Sequence, residues 1–224
     1  MNLLKLSLGL VLSLSFINTY AAAKVESDLE KLSYSMGVFF GQSVSRQDMH
    51  LDIPAFMQAV EDVLNGSEMK LNRSEMQQIL GDYQKKEQEE RVAIANSNKQ
   101  AGEKYLEENK KKEGVTVLDS GLQYKVIKSG DGAKPNADST VVVHYKGTLI
   151  DGTEFDSSYS RGEPAELGVS RVIKGWQEAL QLMPVGSKWQ IAVPSDLAYG
   201  QRGAGGVIGP NATLLFDVEL IAIK

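Results

Sequence analysis

The sequence predicts an α+β protein. An all-helical N-terminal region and a long connecting helix are expected to precede a twisted antiparallel sheet wrapped on one short helix. Three observations carry that expectation. Apolar residues recur every three or four positions between Leu29 and Tyr83, as one face of a helix requires. From Gln84 to Lys112 strong helix formers persist, while sizeable apolar residues thin out to Val92, Ile94, Tyr105 and Leu106. Beyond Gly114 the period drops to two, the pattern of half-buried strands.

At the N-terminus, Lys5 precedes an uncharged apolar run from Leu6 to Ile17. Ala21, Ala22 and Ala23 then supply small residues at the spacing a signal peptidase requires. The run is short of the about 20 apolar residues that span a membrane. Residues 1–23 are therefore expected to be an export signal, cleaved to leave a soluble periplasmic chain without stable membrane insertion. Outer-membrane or surface association stays open, and an N-terminal anchor or buried helix is the alternative. No cysteine follows the run, so it carries no lipid anchor.

Ser27 and Glu30 have capping-box spacing, and Leu29, Leu32, Met36, Phe39, Phe40 and Val44 continue one helical face. Gly37 and Gly41 lie one turn apart on it, each costing about 1 kcal/mol relative to alanine. Close approach of another helix would offset that cost. A second helix opens near Asp52 with Pro54 in its first turn and stops at Asn65-Gly66. Its apolar positions are Phe56, Val60, Val63 and Leu64. Two short helices cannot bury two apolar stripes by themselves. A second copy of the chain is the simplest cover, making residues 24–83 a dimerisation domain; folding back onto the C-terminal domain is the alternative.

A third helix opens at Asn72 with its acid at Glu75. Continued from Arg73 to Glu113, it would reach roughly 60 Å at 1.5 Å per residue. Residues 84–114 read as a charged, solvent-exposed spacer with Gly102 as a weak point and Gly114 as the stop.

Residues 115–224 form the third part. Leu122, Tyr124 and Val126 alternate with polar neighbours, as do Trp189, Ile191 and Val193, then Phe216, Val218 and Leu220. Turn signals at Ser129-Gly130-Asp131-Gly132, Asp151-Gly152 and Pro184-Val185-Gly186 separate them. One helix interrupts, with Ser170 as cap, running through Trp176 to Leu182.

Several function classes drop out. With 24 basic and 29 acidic residues the net charge is −5, which argues against nucleic-acid binding. There is no cysteine, so disulfides, thiolate catalysis and thiolate-held metals are excluded. His50 and His144 have no metal-ligand partner at useful spacing, and no cofactor is implied. The glycines around Ala204 form a flap rather than a phosphate loop, because no helix follows them.

What remains is a set of aromatics on the β framework. In order they lie in Val141-Val142-Val143-His144-Tyr145-Lys146-Gly147, Phe155-Asp156, Val172-Ile173-Lys174-Gly175-Trp176, Ala198-Tyr199-Gly200 and Leu215-Phe216. In this order and spacing the segments resemble the FKBP family of peptidyl-prolyl cis–trans isomerases over about residues 115–224. The upstream helices and export signal are similar to the family's dimeric Mip/FkpA envelope subgroup. The resemblance implies a pocket at Tyr145, Phe155, Asp156, Leu167, Val172, Ile173, Trp176, Tyr199, Ile208 and Phe216. Trp176 would be its floor and Tyr145, Phe155 and Phe216 its walls. The Ile173 N–H and the Tyr199 hydroxyl would hold substrate carbonyls, and Asp156 would polarise substrate or orient its neighbours.

The resemblance also implies unfolded or folding proteins with X–Pro bonds as substrates, a homodimer, and macrolides as inhibitors. Chaperone activity beside the isomerase is expected, and a client-binding chaperone whose isomerase activity is incidental is the competing expectation. The sequence departs from the family pattern at Leu167, where relatives often carry an aromatic, at Ala204, and at Gly209 before Pro210.

An apolar pocket suits this reaction. Rotation about a peptide bond costs about 18–20 kcal/mol because nitrogen shares its lone pair with the carbonyl. The twisted amide is less polar than the planar one, so an apolar site disfavours the ground state relative to it. No nucleophile or general base is required.

Overall fold

The computed structural model describes residues 24–46 and 49–224; the expected export signal lies outside the described residues. The chain divides between Asp52 and Ile53 into two compact units.

The first unit contains helix α1 (Asp28–Arg46). The Ser27 N–H donates to the Glu30 carboxylate at 2.8 Å, and the Glu30 N–H donates back to Ser27 Oγ at 3.3 Å. This reciprocal cap satisfies two of the orphan donors at a helix start. No residue of α1 is buried, and Leu29 and Phe39 are each more than 70 % exposed (73 % and 72 %).

The second unit begins with α2 (Ile53–Asn65), closed by Gly66 in the left-handed region, and α3 (Arg73–Asn109). Asn72 caps α3, accepting from the Glu75 N–H at 3.0 Å while its own N–H donates to the Glu75 carboxylate. The helix ends at Asn109, short of the expected Glu113. Lys110 to Glu113 instead form a turn, and Gly114, at φ 79°, swings the chain into the sheet.

Seven strands follow: β1 (Val115–Val117), β2 (Gln123–Lys128), β3 (Thr140–Leu149), β4 (Glu154–Ser157), β5 (Ala165–Gly168), β6 (Lys188–Val193) and β7 (Leu214–Ile223). They pair antiparallel in the order β1-β2-β6-β7-β3-β4, with β5 also on β3, end to end with β4. Two helices interrupt them, the short α4 (Ser158–Arg161) and α5 (Lys174–Leu182). The inward positions of the sheet (Val141, Val143, Tyr145, Ile191, Val193, Leu214, Phe216 and Val218) meet Trp176, Ala179 and Leu180 of α5 in a single core. Alternation on β2 fails at its end. A bulge follows Val126, which is 44 % exposed, whereas Tyr124 stacks on Trp189 at 4.3 Å.

Two expectations need correction. Ser170 does not cap α5; it sits in a 3₁₀ turn over Val169–Arg171, and α5 starts at Lys174 behind Ile173, without a side-chain cap. The intervening Val172 and Ile173 are extended rather than part of a helical turn, and both pack against the core.

The larger correction concerns α3, whose second half is not a solvent-exposed spacer. Ala95, Asn98, Gly102, Leu106 and Asn109 recur at three- and four-residue spacing and are turned toward the sheet domain. Gln123, 3 % exposed, donates to the Leu106 carbonyl and accepts from Asn109 Nδ2, each at 2.9 Å. Gly102 is the point of closest approach. A Cβ there would lie 2.3 Å from Thr213 Oγ1 and 3.2 Å from Thr213 Cβ.

Replacing a glycine by alanine in an exposed helix normally gains up to about 1 kcal/mol. Gly102→Ala is expected to do the reverse, destabilising the domain by about 1–3 kcal/mol through overpacking against Thr213. Thermal melting checks it, with Gly81→Ala, where a Cβ meets nothing within 4 Å, as the control.

Candidate active site

The inward face of β3 and β7 and the start of α5 enclose a cavity of about 380 Å³. Its lining includes Tyr145, Phe155, Asp156, Leu167, Val172, Ile173, Trp176, Tyr199 and Phe216, together with Arg171. Thus nine of the ten residues singled out by sequence share one cavity. Ile208 does not line it; this side chain is 9 % exposed and packs in the core behind the wall.

The aromatics form a chain of edge-to-face contacts. Tyr145 meets Trp176 at 5.3 Å and 87°, Trp176 meets Phe216 at 5.3 Å and 83°, and Phe216 meets Phe155 at 5.5 Å and 87°. The positive edge of one ring meets the negative face of the next, an arrangement worth about 0.5–1.5 kcal/mol per pair beyond burial. Strand register sets it up. Tyr145 and Gly147 point to the same face two residues apart, and Gly147 pairs with Phe216 on β7. A side chain at Gly147 would collide with both rings, its Cβ falling 2.6 Å from Phe155 and 2.9 Å from Phe216.

Trp176 is 4 % exposed, and its indole N–H has no hydrogen-bond partner among the described residues. At the mouth, the Ile173 N–H donates to no protein acceptor among the described residues, while its carbonyl accepts from the Trp176 and Gln177 N–H groups. Tyr199 is 42 % exposed.

The polar rim centres on a residue the sequence reading missed. Arg161 of α4 donates to Asp156 Oδ1 at 2.5 Å and to the Tyr145 hydroxyl at 2.9 Å. The Tyr145 hydroxyl itself donates to Asp156 Oδ2 at 2.5 Å. The guanidinium also lies 5.5 Å from the Tyr145 ring centroid, within cation–π range. The signal was its placement at the end of the Asp156-Ser157-Ser158-Tyr159-Ser160-Arg161 segment, where one helical turn returns the cation to the acid. Ser157 caps that turn and Gly162, at φ 79°, ends it.

These contacts fix the protonation states. Partial burial raises the Asp156 pKa, but hydrogen bonds from Tyr145 and Arg161 outweigh that and hold the carboxyl below its usual range. Burial, then the bond to Asp156, pushes the Tyr145 phenol up. Bonds to Tyr145 and Asp156 raise the already strong base Arg161. No metal-binding group of His, Asp or Glu exists among the described residues. A second groove of about 250 Å³, between Tyr105, Asn109 and Lys112 and the other face of the sheet, carries polar Lys125, Gln190 and Asp217 and is not lined by Tyr145, Phe155 or Trp176.

Comparison with known proteins decides the family. Residues 131–221 match the model of FKBP-type peptidyl-prolyl cis–trans isomerase, and residues 29–126 match the domain amino-terminal to it. The Outer membrane protein MIP of Legionella longbeachae is 45 % identical over 97 % of this chain and 94 % of its own. The chain belongs to the FKBP-type peptidyl-prolyl cis–trans isomerases.

The isomerase is also 44 % identical to the peptidyl-prolyl cis–trans isomerase Mip of Coxiella burnetii, over 98 % of this chain and 96 % of that one. Among solved structures, FkpA from Escherichia coli superposes with a TM-score of 0.64 at 37 % identity, covering 90 % of this chain and 99 % of that chain.

The pKa directions give a pH prediction. Asp156 has a depressed folded pKa, so its stabilising contribution is complete above the unfolded value of about 3.9 and is lost as pH falls through the folded one. Tyr145 and Arg161 are both raised and keep their protons through neutral pH. Isomerase kcat/KM is therefore expected to be flat from about pH 5 to 9, by the reference values of carboxylates and phenols. A bell-shaped profile in stopped-flow peptide assays would contradict it.

Proposed function

We propose that the aromatic cavity is where this isomerase binds and twists an X–Pro bond of an unfolded or folding protein. The observation that supports it best is the edge-to-face chain from Tyr145 through Trp176 and Phe216 to Phe155, which makes an apolar, flat-walled slot. A pyrrolidine ring stacks on the Trp176 floor between those walls. The Ile173 N–H holds a substrate carbonyl at the mouth, and the Tyr199 hydroxyl holds another. These anchors fix the chain on either side of the proline while the apolar slot disfavours the planar, charge-separated amide.

Asp156 acts chiefly by orientation. Its two oxygens are spent on Tyr145 and Arg161, so it holds the Tyr145 ring against Trp176 rather than exchanging protons. Leu167 makes one wall aliphatic, and macrolides that fill such a pocket are expected to inhibit through the remaining aromatics.

We further propose that the chain is exported to the periplasm by residues 1–23, that residues 24–83 dimerise it, and that residues 115–224 carry catalysis. Exposed Leu29, Leu32, Met36 and Phe39 on α1 support the dimer, since water does not tolerate such a stripe on a free helix. Among the described residues no helix is long and apolar enough to cross a membrane. The same exposed stripe favours a second reading, a client-binding chaperone surface acting beside the isomerase. Two pockets per dimer would raise avidity for one client only if the linkers span it.

Proline-limited refolding tests the site. Phe155→Ala and Tyr199→Ala are each expected to cut kcat/KM by about tenfold or more, on the scale of about 1.4 kcal/mol per tenfold. Asp156→Ala should also slow the reaction by freeing Tyr145. Wild-type rates in all three would sink the assignment. Light scattering at micromolar concentration is expected to give twice the chain mass for the wild type and a monomer for the Leu32→Asp, Phe39→Asp double variant. A monomeric wild type would refute the dimer.

A further inference from the structure

Tyr199, which lines the cavity, heads a wall segment with little structure of its own. Between Tyr199 and Asn211 the chain has Gly200, Gly203, Gly205 and Gly206 at positive φ, as well as Asn211 at φ 56°. Its internal structure is slight: one 3₁₀ turn over Gly200–Arg202, an Ala204–Ile208 bridge, and the Asn211 N–H donating to the Gly200 carbonyl at 2.8 Å. Glycines have the most backbone freedom to lose, so holding such a segment still needs anchors from outside.

The anchors come from α3. Arg91 donates to the carbonyls of Gln201 and Arg202 at 3.1 and 2.9 Å, two and three residues beyond Tyr199. Seven residues along the same helix face, Asn98 Nδ2 donates to the Pro210 carbonyl at 2.9 Å. Between them, Asn211 Nδ2 returns a bond to the Ala95 carbonyl at 3.3 Å. The segment is thus tied to one rigid rod at both ends, while Tyr199 looks into the cavity and Ile208 packs behind its wall.

Gly209 fits this arrangement. A Cβ there would fall 2.9 Å from Asn98 Nδ2 and 3.5 Å from Ile94 Cγ2. The Asn98 amide would have to move and give up Pro210. The glycine before Pro210 leaves room for the helix.

We infer that Arg91 and Asn98 are positioning residues for substrate binding: from outside the pocket they hold the Tyr199–Asn211 wall in its binding-competent form, with Gly209 as the clearance that lets them do so. The inference rests on the cavity being the binding site. A released wall must be ordered by each substrate that enters, and that cost weakens binding without touching the twisting step. The boundary at residue 115 accordingly leaves part of the binding apparatus behind, on the helix.

The test uses the full-length protein and a short X–Pro peptide, reading KM and kcat separately. Arg91→Ala, Asn98→Ala and Gly209→Ala are each expected to raise KM about threefold to tenfold with kcat within about twofold, the pattern of lost uniform binding. Amide hydrogen exchange over Gly203–Ile208 should quicken in the same variants, and Arg91→Lys should recover part of the KM. Because Gly209 and Asn98 act through one contact, the Asn98→Ala, Gly209→Ala double variant should be no worse than Asn98→Ala alone. Wild-type KM in Arg91→Ala and Asn98→Ala overturns the inference, whether or not melting temperature falls, and so does additivity in the double variant. Phe155→Ala measured alongside separates the two claims. Its impairment beside unaffected Asn98→Ala defeats only this inference, whereas full activity in Phe155→Ala defeats the pocket reading itself.

Discussion

The packing of Trp176 between Tyr145 and Phe216 joins the core of this protein to its cavity, and most of the C-terminal domain is arranged to permit it. The indole comes from the first turn of α5, whose other buried side chains, Ala179 and Leu180, seat the helix on the sheet. Tyr145 and Phe216 come from β3 and β7, adjacent strands in a fixed register. The ring that completes the core is therefore also the floor of the cavity. A change that loosens α5 would reach both stability and binding.

The polar rim complements this dry interior. Tyr145 has its ring in the cavity and its hydroxyl in the Asp156–Arg161 cluster, so one side chain joins the aromatic chain to an ion pair. Arg161 and Asp156 are partly exposed, and exposed ion pairs contribute little stability. What the cluster supplies is direction: a charged fork holds the phenol, and the phenol holds its face toward the indole. None of the three groups changes protonation near neutral pH, as suits a reaction in which no proton moves.

Much of this was legible in the residues because it depends on spacing. Period-two patterns marked the central strands and capping boxes marked the starts of α1 and α3, whereas the nine cavity residues were named through the family resemblance that short segments carry. Three features escaped for physical reasons. Arg161 reaches the site through a single helical turn that no periodicity reveals. Ile208 is near the pocket in sequence logic but turns into the core. The docking of α3 was hidden because its contact stripe of Ala95, Asn98, Gly102, Leu106 and Asn109 is small or polar at every position but Leu106. Such a stripe binds by close approach and side-chain amide hydrogen bonds, which an apolar count cannot register. Among lysines and glutamates, a run of uncharged small residues at helical spacing was the available signal.

The central claim is that the prolyl ring sits on the Trp176 floor while its peptide bond turns. Exchange-transferred nuclear Overhauser measurements with a short X–Pro peptide test this directly, because the contacts persist through cis–trans exchange. The account predicts cross-peaks from the pyrrolidine protons to the Trp176 indole and to the Phe155 and Phe216 rings. Prolyl contacts found instead in the groove beside Tyr105 and Lys125, with none to Trp176, would contradict it.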